Sequence, residues 1–135
     1  MKYHRGRLID HVHLVVADLE SSKRFYRAVL SAIGREISGE GQDYFFADEL
    51  FVSGGEQKTH LHLAFQADGP EMVKQFYQAG LSAGGTDNGE PGERHYHPGY
   101  YSAFILDPDG NNIEAVYHGP SEQTAESIVI APKIG

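Results

Sequence analysis

Three residues in this chain have the types and positions to do chemistry together: His11, His62 and Glu114. Glu114 stands in the apolar stretch NNIEAV, where a carboxylate buried without a partner costs several kcal/mol. It therefore either points to solvent or has a strong partner. Eight histidines is a high count for 135 residues, and imidazole serves both acid–base chemistry and metal ligation. Two neutral imidazoles and one carboxylate would make a three-ligand site with open positions, the arrangement that catalytic zinc or non-haem iron needs. Whether they meet depends on the elements that carry them.

The stretch LIDHVHLVVA (8–17) alternates and ends in valines, so it reads as a strand, with His11 and His13 on one face and Val12, Leu14 and Val16 on the other. Asp18 or Ser21 then caps a helix running to about Ile33, its apolar positions Phe25, Ala28, Val29, Ala32 and Ile33 at helical spacing, and Gly34 ends it. Short strands follow around 35–39, 43–47 and 50–53. From Thr59 the pattern restarts with the strand THLHLAFQA, a cap at Asp68, and a helix from about Glu71 to Ser82, with Pro70 where a first turn tolerates it. A polar Gly/Pro-rich loop with room for a short strand (86–97) leads to a hairpin. Its strand from Tyr100 to Leu106 and its second strand, which bears Glu114, flank the turn Asp107-Pro108-Asp109-Gly110. The order strand–helix–three strands thus occurs twice in one domain spanning 1–118, with modules at about 8–56 and 59–118. A tail (119–135) includes one further edge-strand segment, Ser127 to Ala131.

The second unit repeats the first in residues as well as in type. At a constant offset of 51, positions 11–34 and 62–85 share ten identities: His11/His62, Glu20/Glu71, Lys23/Lys74, Phe25/Phe76, Tyr26/Tyr77, Ala28/Ala79, Leu30/Leu81, Ser31/Ser82, Ala32/Ala83 and Gly34/Gly85. This is an internal duplication. A pseudo-twofold axis relating the modules brings equivalent positions near each other, and if the sheet curves around a cavity, His11 and His62 enter it from opposite halves. Glu114, on the last strand of the second module, can then meet them.

Around this centre, His13 and His60 share the cavity side by alternation and read as supporting or surface residues. Arg94, His95 and His97 could hold an anionic or carbonyl substrate, since guanidinium suits a carboxylate fork. His97 is a candidate base, as is a glutamate such as Glu114 if no metal holds it. Among Tyr96, Tyr100, Tyr101 and Phe104, alternation puts Tyr101 opposite Tyr100 and Phe104, so at least one tyrosine lines the cavity. Tyr96 and Tyr101 are taken as substrate contacts, with Asn88 from the same loop, and Phe104 as core and sheet surface. Tyr26 and Tyr77 read as helix-to-sheet packing with a polar tip. The DPDG turn reads as structural.

Composition narrows the class. No cysteine excludes a disulfide framework and a thiolate metal site and fits a reducing cytoplasm. A net charge of -8 with eleven basic residues and no basic cluster argues against nucleic acid and anionic membranes. No apolar run approaches the roughly 18 residues of a membrane span, and MKYHRGRLIDH lacks a signal-peptide core. There is no nucleophile elbow, and Gly54-Gly55 and Gly84-Gly85 are too short for a phosphate loop.

HVHLVVADLESSKRFY, THLHLAFQA and DPDGNNIEAV resemble the signature segments of the vicinal oxygen chelate superfamily, the glyoxalase, bleomycin-resistance and extradiol dioxygenase group. The likeness covers about 8–118. It is strongest to bacterial single-domain glyoxalase-like proteins, in which a segment like NGEPGERHYHPGYYSAFILDPDGNNIEAV is typical. The resemblance implies an α+β fold: two βαβββ modules forming an open, curved eight-stranded mixed sheet around a cavity, helices outside, usually completed as a homodimer. It implies a divalent metal (Zn, Fe, Mn, Ni or Co) on His11, His62 and Glu114. The fourth ligand of glyoxalase I enzymes would lie in Leu50-Phe51-Val52-Ser53, which holds no acid, although Glu49 and Glu56 flank it. That departure leaves a three-ligand site, as in the dioxygenases, or a metal-free binding fold. The functions implied are a metal-dependent lyase, isomerase or dioxygenase acting on a small vicinal-oxygen substrate, or drug sequestration of the bleomycin-resistance type.

Overall fold

The computed structural model of the protein describes residues 3–5, 7, 9–120 and 126–131. The first module contains β2 (Val12–Val16), α1 (Leu19–Ala32), β3 (Gly39–Glu40), β4 (Tyr44–Ala47) and β5 (Leu50–Gly54). The second contains β6 (His62–Gln66), α2 (Pro70–Ser82), β7 (Thr86–Glu93), β8 (Tyr101–Leu106) and β9 (Asn112–Tyr117). Each module forms its own four-stranded mixed sheet, ordered β2-β5-β4-β3 and β6-β9-β8-β7. The duplicated α+β architecture is as the sequence implied, with the eight strands divided into two open sheets. A terminal ribbon pairs β1 (Tyr3–Arg5) antiparallel with β10 (Ile128–Ile130), so the expected edge strand in the tail forms against this same chain. Of the expected elements, residue 8 at the start of the first strand, and 121–125 and 132–135 in the tail, lie outside the described residues.

Local chemistry explains most boundaries. Asp18 caps α1, its carboxylate accepting from the backbone N–H of Glu20 and Ser21, and Gly34 leaves the helix with φ +76°. These bonds lower the Asp18 pKa, the Ser21 backbone bond most of all. The second helix differs from expectation. Gly69, not Asp68, is its N-cap residue and makes no side-chain bond, and Pro70 supplies the preset φ of the first turn. The expected loop after α2 is mostly strand: β7 pairs with β8 through two register shifts beside Gly89 and Gly92. Glycine conceals such a strand because it brings no side-chain periodicity.

One core serves both modules. Leu14, Val16, Phe25, Tyr26, Val29, Phe45 and Val52 join Val73, Phe76, Ile105, Ile113 and Ala115 in a single buried cluster. The two helices meet where a Cβ built on Gly80 would lie 3.2 Å from Val29 Cγ1. Val29 and Gly80 are themselves equivalent at the 51-residue offset, so the pseudo-twofold axis passes through this contact. A Cβ on Gly85 would meet Phe25 at 2.6 Å and the Gly80 carbonyl at 2.8 Å. The DPDG turn also clasps the first module. Tyr26 on α1 donates to Asp107 at 2.6 Å, and the Ala17 N–H donates to Asp109 at 2.9 Å. No helix among the described residues is long and apolar enough to cross a membrane.

Candidate active site

Pairing register sorts the second sheet into two faces, because paired residues share a side. Ile113, Ala115, Ala103 and Ile105 face the core. Glu114 pairs with Phe104 and with Ala64, and His62 pairs with Asn112, so these residues share the other face. Glu114 is only 1% exposed there. Its Oε1 lies 2.8 Å from His62 Nε2, and its Oε2 accepts a hydrogen bond from the Tyr100 hydroxyl. The buried acid therefore has two partners, one on each oxygen. Burial, then the bond to Glu114, pushes the Tyr100 phenol well above the ordinary tyrosine range, so the phenol is a neutral donor.

The first sheet presents its equivalent face. Tyr44 and Phe46 pair with Ser53 and Phe51, and Phe51 pairs with His13. Because His13↔Phe51 in one sheet matches Ala64↔Glu114 in the other at the 51-residue offset, Phe51 occupies the position equivalent to Glu114. The register thus locates the missing acid. Glu49 precedes β5, and the strand itself offers a ring where the second module has a carboxylate. Tyr44 stacks on Phe51 at 5.4 Å, and the His13 ring meets Phe51 edge-on at 5.1 Å. His13 Nε2 lies 2.7 Å from Ser53 Oγ, which makes it a tethered neighbour of this aromatic wall.

The structure brings His62 and Glu114 together, and His11 is not part of that contact. His11 lies just before β2, its ring 53% exposed and its Nδ1 2.7 Å from Asp10. Among the described residues, no three His, Asp or Glu side chains form a metal-ion group within the single chain. Arg94 folds over the site face. It donates to the Glu90 and Ser102 carbonyls and lies 5.3 Å over the Phe104 ring, so part of its fork is committed to the protein. Asn88 donates to Asn112 at 3.1 Å. Tyr96 is 68% exposed and meets Tyr100 edge-on. Tyr101 is on the opposite side: it pairs with Tyr117 and packs against the core. The tyrosine that reaches the acid is Tyr100, and Phe104 belongs to the site face with His62 5.9 Å from its ring. Tyr100 and His118 were missed as site residues. The available signal was period two, since Glu114 and His118 are four apart and Tyr100 continues the face of Phe104.

His97 and His118 form a second cluster at the end of this face. His97 Nε2 lies 2.9 Å from His118 Nδ1, and His97 Nδ1 lies 2.9 Å from the Pro98 carbonyl. The edge of the Tyr100 ring contacts both imidazoles. The loop bearing His97 is held by Gly99 (φ +87°) against Gly119 (φ +93°), where a Cβ on Gly99 would be 3.4 Å from the Gly119 Cα.

Residues 8–115 match the model of the Glyoxalase/Bleomycin resistance protein/Dioxygenase superfamily. The chain is similar to the crystal structure of a glyoxalase/bleomycin resistance protein from Albidiferax ferrireducens: 36% identity, TM-score 0.70, covering 78% of this chain and 95% of that one. A glyoxalase-related enzyme from Fulvimarina pelagi shares the fold at 18% identity and TM-score 0.68, covering 95% of this chain and 100% of that one. A lactoylglutathione lyase from Agrobacterium tumefaciens does so at 20% identity and TM-score 0.61, covering 82% and 93%. No curated protein matches.

Proposed function

The chain belongs to the Glyoxalase/Bleomycin resistance protein/Dioxygenase superfamily, and from that membership we propose that it is a divalent-metal-dependent enzyme. Its substrate would be a small molecule with adjacent oxygens, and its chemistry of the lyase, isomerase or dioxygenase type. The observation that carries this is the 1% exposed Glu114 carboxylate held between His62 and Tyr100. An imidazole nitrogen and a carboxylate oxygen 2.8 Å apart on one sheet face suit Zn, Fe, Mn, Ni or Co. His62 and Glu114 would hold the metal from the second module. His11, exposed at the equivalent position of the first, would complete the set from a second copy of the chain. The support for a homodimer is the packing, because the two helices and the DPDG clasp join the modules through their core sides.

When bound, the metal supplies a Lewis acid for adjacent substrate oxygens. Tyr100 fixes the Glu114 carboxylate and keeps one of its oxygens engaged. Arg94, with the donors not spent on Glu90 and Ser102, offers an N–H to a substrate carbonyl or carboxylate. Phe104, together with the Phe51–Tyr44 wall brought by the second copy along with His11, would give the carbon skeleton an apolar surface.

Metal analysis after native purification tests the proposal, alongside Glu114→Gln. The expectation is about one equivalent of a divalent metal per chain, lost in the variant. A folded wild-type protein holding less than about a tenth of an equivalent after metal-replete growth would overturn it. The second reading is a metal-free binding protein. Phe51 standing where an acid would be favours it, as does a Glu114 already satisfied by protein groups. His11→Ala separates the two: loss of metal supports the enzyme, and unchanged affinity for a flat aromatic ligand without metal supports the binder.

A further inference from the structure

The notion that His97 serves as a base meets a specific obstacle: both of its ring nitrogens are engaged. The Pro98 carbonyl can only accept a hydrogen bond, so His97 Nδ1 carries the proton and His97 Nε2, in the neutral ring, carries the lone pair. That lone pair faces His118 Nδ1 at 2.9 Å, so Nδ1 of His118 must donate. The remaining nitrogen of the pair, His118 Nε2, is therefore the one with an uncommitted lone pair.

His118 follows directly on β9 and is exposed. It continues the alternation of Asn112, Glu114 and Val116, and hence the face that bears the acid. Its ring lies 5.1 Å from Tyr100, whose hydroxyl bonds Glu114, so the pair and the acid contact the same tyrosine. The rings of His97 and His118 lie nearly parallel, 18° apart. The glycine clasp at 99 and 119 holds the loop that sets this arrangement.

We propose that His118 is a general base of the site, and that His97 is its positioning residue. His97 and the Pro98 carbonyl impose on His118 the Nδ1–H tautomer, leaving Nε2 to take a proton from a substrate hydroxyl or from a carbon beside a carbonyl. The proposal deepens the reading of the site given above and depends on it for the substrate class. The proton moves from substrate oxygen or carbon to His118 Nε2, and the imidazolium formed donates through Nδ1 to His97 Nε2.

The test is long-range 1H–15N NMR of the full chain at a pH where imidazoles are neutral, with peptide mapping after brief treatment with diethylpyrocarbonate. Wild type is expected to show Nδ1–H for both His97 and His118, against the Nε2–H form usual in free histidine. In His97→Leu, which leaves no acceptor for Nδ1–H, His118 is expected to revert to Nε2–H. Diethylpyrocarbonate, which attacks an unprotonated and accessible ring nitrogen, is expected to modify His118 about tenfold faster than His97. An Nε2–H tautomer at His118 in wild type, or a tautomer unaffected by His97→Leu, overturns the proposal. Equal modification rates overturn it as well. Metal content measured on the same samples separates the two ideas. Retained metal with the wrong tautomer sinks only the role of His118, and the right tautomer without metal sinks only the metal reading.

Discussion

Tyr100→Phe isolates one atom of the site. The phenol oxygen is lost, while the ring and its edge contacts with Tyr96, His97 and His118 remain, so no cavity opens. What disappears is a hydrogen bond to a carboxylate that is 1% exposed. A bond to a charged acceptor contributes about 1.5–3 kcal/mol, and the stranded oxygen has little access to water to recover it. At roughly 3–4 °C per kcal/mol for a domain of this size, the melting temperature should fall by about 5–12 °C. On the metal side, removing a group that orients a ligand typically costs about 10–100-fold in affinity, or about 1.4–2.7 kcal/mol. Thermal and urea unfolding of the metal-stripped protein give the first number, and chelator competition gives the second. Tyr96→Phe, which alters a residue 68% exposed, serves as the control and should change neither. A Tyr100→Phe protein that melts within about 1 °C of wild type and binds metal equally well would refute the claim that the phenol holds Glu114.

Asp107→Ala should be among the most damaging single changes, costing about 3–5 kcal/mol in urea unfolding, because it strands the buried Tyr26 hydroxyl and Asn111 amide that donate to it. A loss below about 1 kcal/mol would show that the turn does not clasp the modules. Phe51→Ala should leave metal content unchanged but weaken binding of a flat aromatic probe about threefold to tenfold, measured by fluorescence titration, since one stacked ring pair contributes about 0.5–1.5 kcal/mol. An alkaline titration followed by phenolate absorbance should show Tyr26, Tyr77 and Tyr100 ionising above the ordinary range. Burial is the leading cause in each, followed by Asp107, Asp87 and Glu114 respectively. These pKa values are raised in the folded state, so the stability they contribute is fully present below the ordinary tyrosine value. It is lost as pH rises through the shifted ones, and unfolding on the alkaline side should be shallower in Tyr26→Phe.

The duplication was legible from residues alone because helix packing repeats side chains: Phe25/Phe76 and Tyr26/Tyr77 do the same work in each module. The start of the first helix, the DPDG turn and the partnering of Glu114 followed from capping, turn chemistry and the cost of burying an unpaired carboxylate, whereas the second helix begins on Gly69 and Pro70 with no side-chain cap. The sequence also pointed to His62 and Glu114 as one site, since His62 recurs as His11 in the duplication and Glu114 needs a partner in its apolar strand. Register could not be read this way. A one-residue slip exchanges the faces of a strand, and the short first-module strands carry too few residues to pin it. Only the folded pairing put Phe51 at the counterpart of Glu114 and laid the face of Tyr100 and Phe104, rather than that of Tyr101, beside the acid. Local pattern specified which residues each strand contains. Which faces of different strands come together, and which imidazole keeps a free lone pair, depended on contacts between segments far apart in the chain.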